Sequence, residues 1–402
     1  MDNAAVSSEP AGRARLGIFL CFLGAFCEGI DLQAAGVAAA GIRQQFHPDN
    51  QLLSYFFSAG TLGLFFGAVI GGNLSDRMGR KGVLVASIAC FGLFSLLTPI
   101  AWDMDSLIGA RLLTGLGLGG ALPNLIAIGS ERAPPRRRSA SVTLIYSAVP
   151  LGGALASLVS LLATPAQWRW IFIVGGVVPL AVAPVIGTWL REVRRPPDRG
   201  ADHPGLLAFL GGGRAGRTLL LWVSFFLALL TLYLLLNWLP TLLAGGGFDK
   251  AQIAVDMIAF NLGGCLSALY IGSHLETQLR HRGVLLTFAG LPLLLFLLAQ
   301  GPRPALVAGL LVFALGAAAI GAQAILAAFA PLCYPTSSRG TGVGFAVGIG
   351  RIGSIVGPLL GAVLLGSGNS PSLVLMRLLP IVLLGSACAV TLAWRQPPGP
   401  IE

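Results

Sequence analysis

Charged side chains are scarce in this sequence. Only 10% of its 402 residues are Asp, Glu, Lys or Arg, whereas soluble domains carry about 25%. Apolar residues make up 55% of the chain, and the mean hydropathy is +0.81. So few charges could not cover the surface of a soluble fold of this size, and the composition therefore predicts a protein embedded in a membrane.

Residues that build catalytic and metal sites are also few. The four histidines (His47, His203, His274 and His281) all fall in predicted loops, and the six cysteines have no metal-ligand spacing. The sequence contains no HExxH, GxSxG or P-loop motif. We therefore expect no metal and no cofactor, and a membrane enzyme or sensor is a distant alternative.

Apolar runs of about 17–25 residues are long enough to cross a bilayer as helices. The sequence contains twelve of them, near 16–41, 52–72, 83–101, 107–129, 140–163, 171–190, 218–243, 252–272, 283–299, 305–330, 340–366 and 372–394. Because the number is even, both termini are predicted on one side of the membrane.

The basic residues predict which side that is. Of the 26 lysines and arginines, 19 flank the spans on the side of the termini and five on the other. Short cytoplasmic loops are enriched in Lys and Arg, so both termini are predicted in the cytoplasm. The predicted location of the protein is the bacterial inner membrane. The net charge of +10 is then explained by the basic residues that orient the protein in the membrane, and no nucleic-acid partner is expected.

The first span permits one other interpretation. Arg13, Arg15, the apolar run and the small residues 37–40 resemble a secretory signal peptide with a cleavage site. Two acidic residues interrupt that run, and its removal would leave eleven spans. We therefore interpret the segment as the first membrane helix.

Polarity divides the chain into two halves. The one long polar linker is 191–217, which is rich in Arg, Pro and Gly. It separates six spans in 1–190 from six spans in 218–402. Weak similarity relates the halves: 72–76 to 272–276, 82–84 to 283–285, and 150–154 to 358–362. The predicted fold is an all-α membrane protein with twelve transmembrane helices in two pseudo-symmetric six-helix bundles.

Two acidic residues lie within the first span. Glu28 and Asp31 are three residues apart and therefore share one helix face. An ionised carboxylate at the bilayer centre costs roughly 2.5–3.5 kcal/mol, so such residues typically serve a proton or substrate pathway. We expect them to titrate as a coupled pair, with Asp31 as the obligatory proton carrier. Asp256, near the start of span eight, is interpreted as interfacial.

The loop after span two has the most specific motif. Residues 72–81 read GNLSDRMGRK, which resembles the corresponding loop of major facilitator superfamily transporters. The resemblance implies a gate in which Asp76 meets the start of span eleven near Gly340. Residues of this and the related loops after spans four and ten that are expected to take part in gating are Gly72, Asp76, Arg77, Gly79, Arg80, Glu131, Arg138 and Arg339.

Further motifs narrow the resemblance. Residues 28–36 (EGIDLQAAG) are similar to the first-span signature of the aromatic acid:proton symporter family, with Glu28 in place of the usual Asp. Matches at 111–119, 121–124, 237–240 and 350–353 extend it over nearly the whole chain. The resemblance implies a major facilitator fold and proton-coupled import of a hydroxyphenylpropionate- or hydroxybenzoate-like aromatic carboxylate by a monomer.

An aromatic carboxylate needs a cation for the acid, apolar walls for the ring and a polar group for a hydroxyl. Arg351 in span eleven is the candidate counter-ion, and Arg111 in span four either couples to the two acidic residues or is structural. Gln323 is the preferred hydroxyl partner. The other candidates for substrate contact are Trp238, Asn237, Tyr146 and Asn124, each of which could instead pack between helices.

An exporter of small organic acids or drugs is the second hypothesis. Related antiporters carry a GPxxGG-type pattern in span five. Residues 148–153 read AVPLGG and lack the glycine before proline. The direction of net flux under a proton gradient would separate the two functions.

Overall fold

The computed structural model describes residues 11–134, 137–190, 215–274, 280–301, 304–334, 339–366 and 368–395. Within them, twelve helices are long and apolar enough to cross a bilayer, which confirms the predicted all-α membrane fold. Their bounds are α1 Ala11–Phe46, α2 Asn50–Met78, α3 Arg80–Leu97, α4 Met104–Arg132, α5 Arg138–Leu162, α6 Arg169–Trp189, α7 Ala215–Gly245, α8 Lys250–His274, α9 Arg280–Ala299, α10 Ala305–Phe329, α11 Arg339–Gly366 and α12 Pro371–Trp394.

Several helices extend past the apolar runs because a helix need not end where the hydrocarbon ends. α1, for example, has 36 residues, and a span needs about 20. α7 begins at Ala215, so 215–217, assigned to the linker for their polarity, are helical. The rest of the predicted linker lies outside the described residues.

The helices alternate in direction. The start of α1 meets the end of α4 at Gly17 and Arg132, and the start of α7 meets the end of α12 at Gly216 and Arg395. We call the end of the bundle that contains these contacts the terminal face. The opposite end, where the end of α7 meets the start of α12 at Gly245 and Pro371, is the distal face.

Close glycine packing in the first half brings backbones into contact. A Cβ added at Gly63 in α2 would overlap the carbonyl oxygen of Leu112 in α4, and one at Gly152 in α5 would overlap that of Phe26 in α1. Small residues at such crossings are typical of membrane helix pairs. These glycines fix the spacing of α2 with α4 and of α1 with α5.

The second half repeats this packing. Gly263 in α8 meets the carbonyl of Phe313 in α10, and Gly353 in α11 meets that of Phe226 in α7. These contacts lie 200 or 201 residues after their counterparts. The matches of 72–76 with 272–276 and of 82–84 with 283–285 follow this register, but that of 150–154 with 358–362 does not. That last alignment is wrong, because packing pairs Gly152 with Gly353.

The two halves meet near the distal face. Gly36 in α1 packs on the backbone at Leu236 in α7, and the hydroxyl of Ser58 in α2 donates to the carbonyl of Ile355 in α11, 3.0 Å away. At the terminal face, a Cβ added at Gly340 or Gly344 in α11 would meet no neighbour. The halves also touch at the terminal face, where a Cβ added at Gly272 in α8 would overlap the side chain of Thr143 in α5, while the start of α11 adjoins open space.

Candidate functional site

A buried ion pair joins α1 to α4. The guanidinium of Arg111 lies 2.8 Å from a carboxylate oxygen of Asp31, and the two side chains are 4% and 0% exposed. The hydroxyl of Ser95 in α3 donates to the other carboxylate oxygen at 3.1 Å. Arg111 also lies within hydrogen-bond distance of the Asp31 carbonyl, at 3.4 Å. Three helices of the first half therefore converge on one carboxylate.

Aromatic rings enclose the guanidinium. Its central carbon is 5.9 Å from the ring centroid of Phe56 and 5.8 Å from that of Phe172, which is within range for cation–π attraction. A Cβ at Gly60 would approach Arg111 to 3.3 Å, so this glycine leaves room for the guanidinium. Within the described part of the chain, the Arg111 Nε atom has no hydrogen-bond partner.

A second polar cluster lies where the two halves meet. Arg351 in α11 donates to the hydroxyl of Tyr233 in α7 at 3.1 Å. The charges of Arg351 and Glu28 act on each other and on the phenols of Tyr146 and Tyr233. The cluster thus draws on α1 and α5 of the first half and on α7 and α11 of the second.

Glu28 is the member of this cluster that has an unsatisfied carboxylate oxygen. Its side chain is buried, and its Oε2 atom has no hydrogen-bond partner among the described residues. Asp31, one turn away, adds a second negative charge that acts on Glu28. A buried carboxylate with an unsatisfied oxygen is costly, so this position favours a group that binds a proton or exchanges its partner.

An amide bridge beside this cluster was missed by the sequence reasoning. Asn261 in α8 donates to the side-chain oxygen of Gln33 in α1 at 3.0 Å, and the Gln33 amide lies 3.4 Å from the carbonyl of Leu236 in α7. The signal for Gln33 was available, since it is an amide within an apolar span, five residues after Glu28. The bridge connects the two halves inside the membrane.

Other predicted contact residues are occupied by neighbouring helices. The amides of Asn124 and Asn237 donate to carbonyls one turn back, those of Gly120 and Tyr233. Trp238 is completely buried: its indole nitrogen donates to the carbonyl of Pro358 at 2.8 Å, and its ring meets Phe57 edge-on at 5.2 Å. Trp238 therefore packs between the two halves, near the distal face, in this conformation.

The uncharged Gln323 and the acidic Asp256 differ in how far their side chains are exposed. Gln323 is half-buried and makes no hydrogen bond within the described ranges, so its amide is available. Asp256, which was interpreted as interfacial, has a side chain that is 0% exposed. The first turn of α8 and the start of α10 cover its carboxylate near the distal end of α8.

The loop after α2 is a single residue. Gly79, at φ 94°, ends α2 and begins α3, a backbone conformation that disfavours side chains. Arg80 forms a salt bridge with Glu131 at the end of α4. The side chain of Asp76 lies outside the described part of the structure. Of the other gating candidates, Gly72, Arg77, Arg138 and Arg339 are exposed.

A bundle of twelve membrane-crossing helices with repeated halves and buried charges at their junction is the architecture of a secondary transporter. The chain belongs to the Major Facilitator Superfamily, whose family model matches residues 21–358. This confirms the predicted family and a transporter rather than an enzyme. The chain is a multi-pass bacterial membrane protein.

Named relatives extend the comparison. The chain is 44% identical to the 3-(3-hydroxy-phenyl)propionate transporter of Escherichia coli K12, covering 97% of this chain and 96% of that protein. It is 34% identical to the 4-hydroxybenzoate transporter PcaK of Pseudomonas putida, covering 93% and 91%. A solved D-xylose-proton symporter superposes with a TM-score of 0.76 at 16% identity, covering 94% and 97%, and that likeness concerns the fold alone.

Proposed function

We propose that this chain imports aromatic carboxylates of the hydroxyphenylpropionate or hydroxybenzoate type, coupled to protons, by alternating access. The observation that supports this most directly is the cluster of Arg351, Tyr233, Tyr146 and Glu28 at the junction of the two halves. It combines a cation with two aromatic phenols, as an aromatic acid requires. The names of the relatives point to the same substrate class.

Arg351 binds the substrate carboxylate in this proposal. A guanidinium offers two parallel donors that match a carboxylate. In the structure, one nitrogen of Arg351 donates to the phenol of Tyr233, which carries no charge to balance the arginine. Tyr146 and Tyr233 would flank the ring, and the free amide of Gln323 would bind a ring hydroxyl. Trp238, Asn237 and Asn124 then support the site through helix packing in this conformation.

Charge balance supplies the coupling to protons. Glu28 lies within electrostatic range of Arg351, so a substrate carboxylate would place two anions beside one cation in a poorly solvated site. Such an arrangement favours proton uptake by one of the acids. Glu28, which is near Arg351 and has one unpaired oxygen, transmits this preference to Asp31, the acid that we propose carries the transported proton.

Asp31 and Arg111 form the second part of the coupling device. Protonation of Asp31 would weaken its bond to Arg111, while Ser95 could still donate to the carboxyl group. Because Asp31 and Glu28 lie one turn apart on α1, a change at either acid alters the charge felt by the other. Asp31 remains our proposed obligatory carrier, with Glu28 coupling it to the substrate.

The loops at the terminal face would control opening there. The Arg80–Glu131 salt bridge holds α3 against α4, so the loop after α2 moves with the first half as one body. Asp76 would then meet the start of α11 when this face closes. From the distribution of basic residues, we propose that the terminal face is cytoplasmic, in the inner membrane, and that the transporter is a monomer.

Uptake into proteoliposomes tests the proposal. Labelled hydroxyphenylpropionate and hydroxybenzoate should accumulate when the outside is acidic, whereas an exporter would expel them from preloaded vesicles under the same gradient. Asp31→Asn should abolish accumulation, and Glu28→Asp should be better tolerated because it keeps the carboxylate. Counterflow, which needs no net proton movement, serves as the control for folding and substrate binding. Accumulation by Asp31→Asn would refute the role of Asp31 as carrier.

A further inference from the structure

A buried carboxylate lies apart from the central site. Asp256 is in the second turn of α8, near the distal face, and its side chain is 0% exposed. Its Oδ1 atom accepts a hydrogen bond from the amide of Gln252 at 2.7 Å. Its Oδ2 atom is buried and has no hydrogen-bond partner in the described residues. One oxygen of this carboxylate is therefore unsatisfied.

The neighbouring helix α10 covers the carboxylate closely. A Cβ added at Gly309 would lie 3.3 Å from Oδ1, and the Gln252 amide also lies 3.3 Å from the carbonyl of Ala305. In the register of the repeat, Phe56 in α2 corresponds to Asp256, and Arg111 in α4 corresponds to the buried Val312. The second half thus has a carboxyl group where the first has a ring, and an aliphatic side chain where the first has a cation.

No basic partner balances this carboxylate within the part of the chain that the structure describes, where Asp256 forms no ion pair. At the start of its own helix, the nearby charges are Lys250 and, one residue before the helix, Asp249. α10 contains no ionisable residue. α5 and α7, which also pack against α8, contribute Arg138 and Arg217 at the terminal face and the central phenols of Tyr146 and Tyr233. An ionised Asp256 would thus be buried without compensation, a state that proteins avoid by neutralising the group.

We propose that Asp256 is a proton-binding site distinct from Glu28 and Asp31. In the conformation described, its carboxyl group is neutral, with the proton on the unpartnered Oδ2. The proton comes from water at the distal face and returns to it. Gln252 is the connection, because it is half-buried, one turn closer to that face, and bonded to the carboxyl group.

Infrared spectroscopy of the reconstituted full-length protein tests the protonation state. A neutral carboxyl group gives a carbonyl band that an ionised one lacks. Asp256→Asn, which keeps an acceptor for Gln252, should remove one such band. The matched control is Asp249→Asn, which removes an exposed carboxylate from the same end of α8 and retains a side chain suited to the N-terminal cap. It should leave the bands unchanged. An unchanged spectrum for Asp256→Asn would overturn the proposal.

A second variant tests the exchange route, and also applies if Asp256→Asn does not fold. Gln252→Leu removes the donor to Oδ1 and the polar connection to the distal face. We expect the carbonyl band of Asp256 to shift and its hydrogen–deuterium exchange to slow. A band with unchanged position and unchanged exchange would contradict both the assignment to Asp256 and the route through Gln252.

Discussion

Removal of one partner from the Asp31–Arg111 pair should be almost as harmful as removal of both. The pair is 2.8 Å apart and almost fully buried, and loss of one member of such a pair typically costs about 3–5 kcal/mol because it leaves an uncompensated charge. Arg111→Gln leaves Asp31 with only the Ser95 hydroxyl. Asp31→Asn leaves Arg111 with a carbonyl and two aromatic rings. In the double variant, two neutral amides face each other.

The expected coupling energy is therefore about 3 kcal/mol, the upper end of the range for contacting residues, or roughly 100-fold in an equilibrium constant. The measurement is the free energy of unfolding of the wild type, both single variants and the double variant, by denaturant titration in mixed micelles. If the single effects simply add up, the ion pair does not stabilise the protein and the reasoning fails.

Three further predictions concern transport. Accumulation of aromatic acid should vanish with a protonophore, and accumulation that persists would show that no proton gradient drives it. Arg351→Lys keeps the charge but loses the planar pair of donors, so it should weaken substrate binding far more than Tyr233→Phe, as measured by counterflow. Equal affinities would make Arg351 structural. Asp76→Asn should slow transport while it leaves substrate affinity within a few fold, and a normal rate would remove the loop after α2 from the gate.

The sequence predicted the elements whose signals are local. Apolar length marked all twelve spans, and the loop motif at 72–81 identified the family that the comparisons confirm. The acidic residues of span one stood out because charge is rare in hydrocarbon. Each of these inferences depends on composition within a short window, which the bilayer constrains strongly.

Long-range relations were harder to predict. The partner of Asp31 lies 80 residues away on α4, and the sequence could not show that Arg111 contacts this carboxylate. Gln33 carried no more signal than other amides in spans, because only the approach of α8 makes it a bridge. The burial of Asp256 was not predicted, because its distance from the end of a span does not show whether a neighbouring helix covers it. The repeat of span five was misaligned because glycine and proline recur throughout the chain, whereas backbone contact specifies which glycines correspond.

The duplicated scaffold carries charges that are not duplicated, and this asymmetry bears on the mechanism. Asp31 and Arg111 both belong to the first half, so rocking of one half against the other leaves their distance unchanged. Glu28 and Arg351 belong to different halves, so rocking changes theirs. If the proposed function is correct, the conformational change therefore alters the surroundings of Glu28 directly. It affects Asp31 only through the turn of α1 that joins the two acids. Lengthening or shortening that turn by one residue would rotate the acids by about 100° relative to each other, and coupling should be lost even if substrate binding at Arg351 is retained.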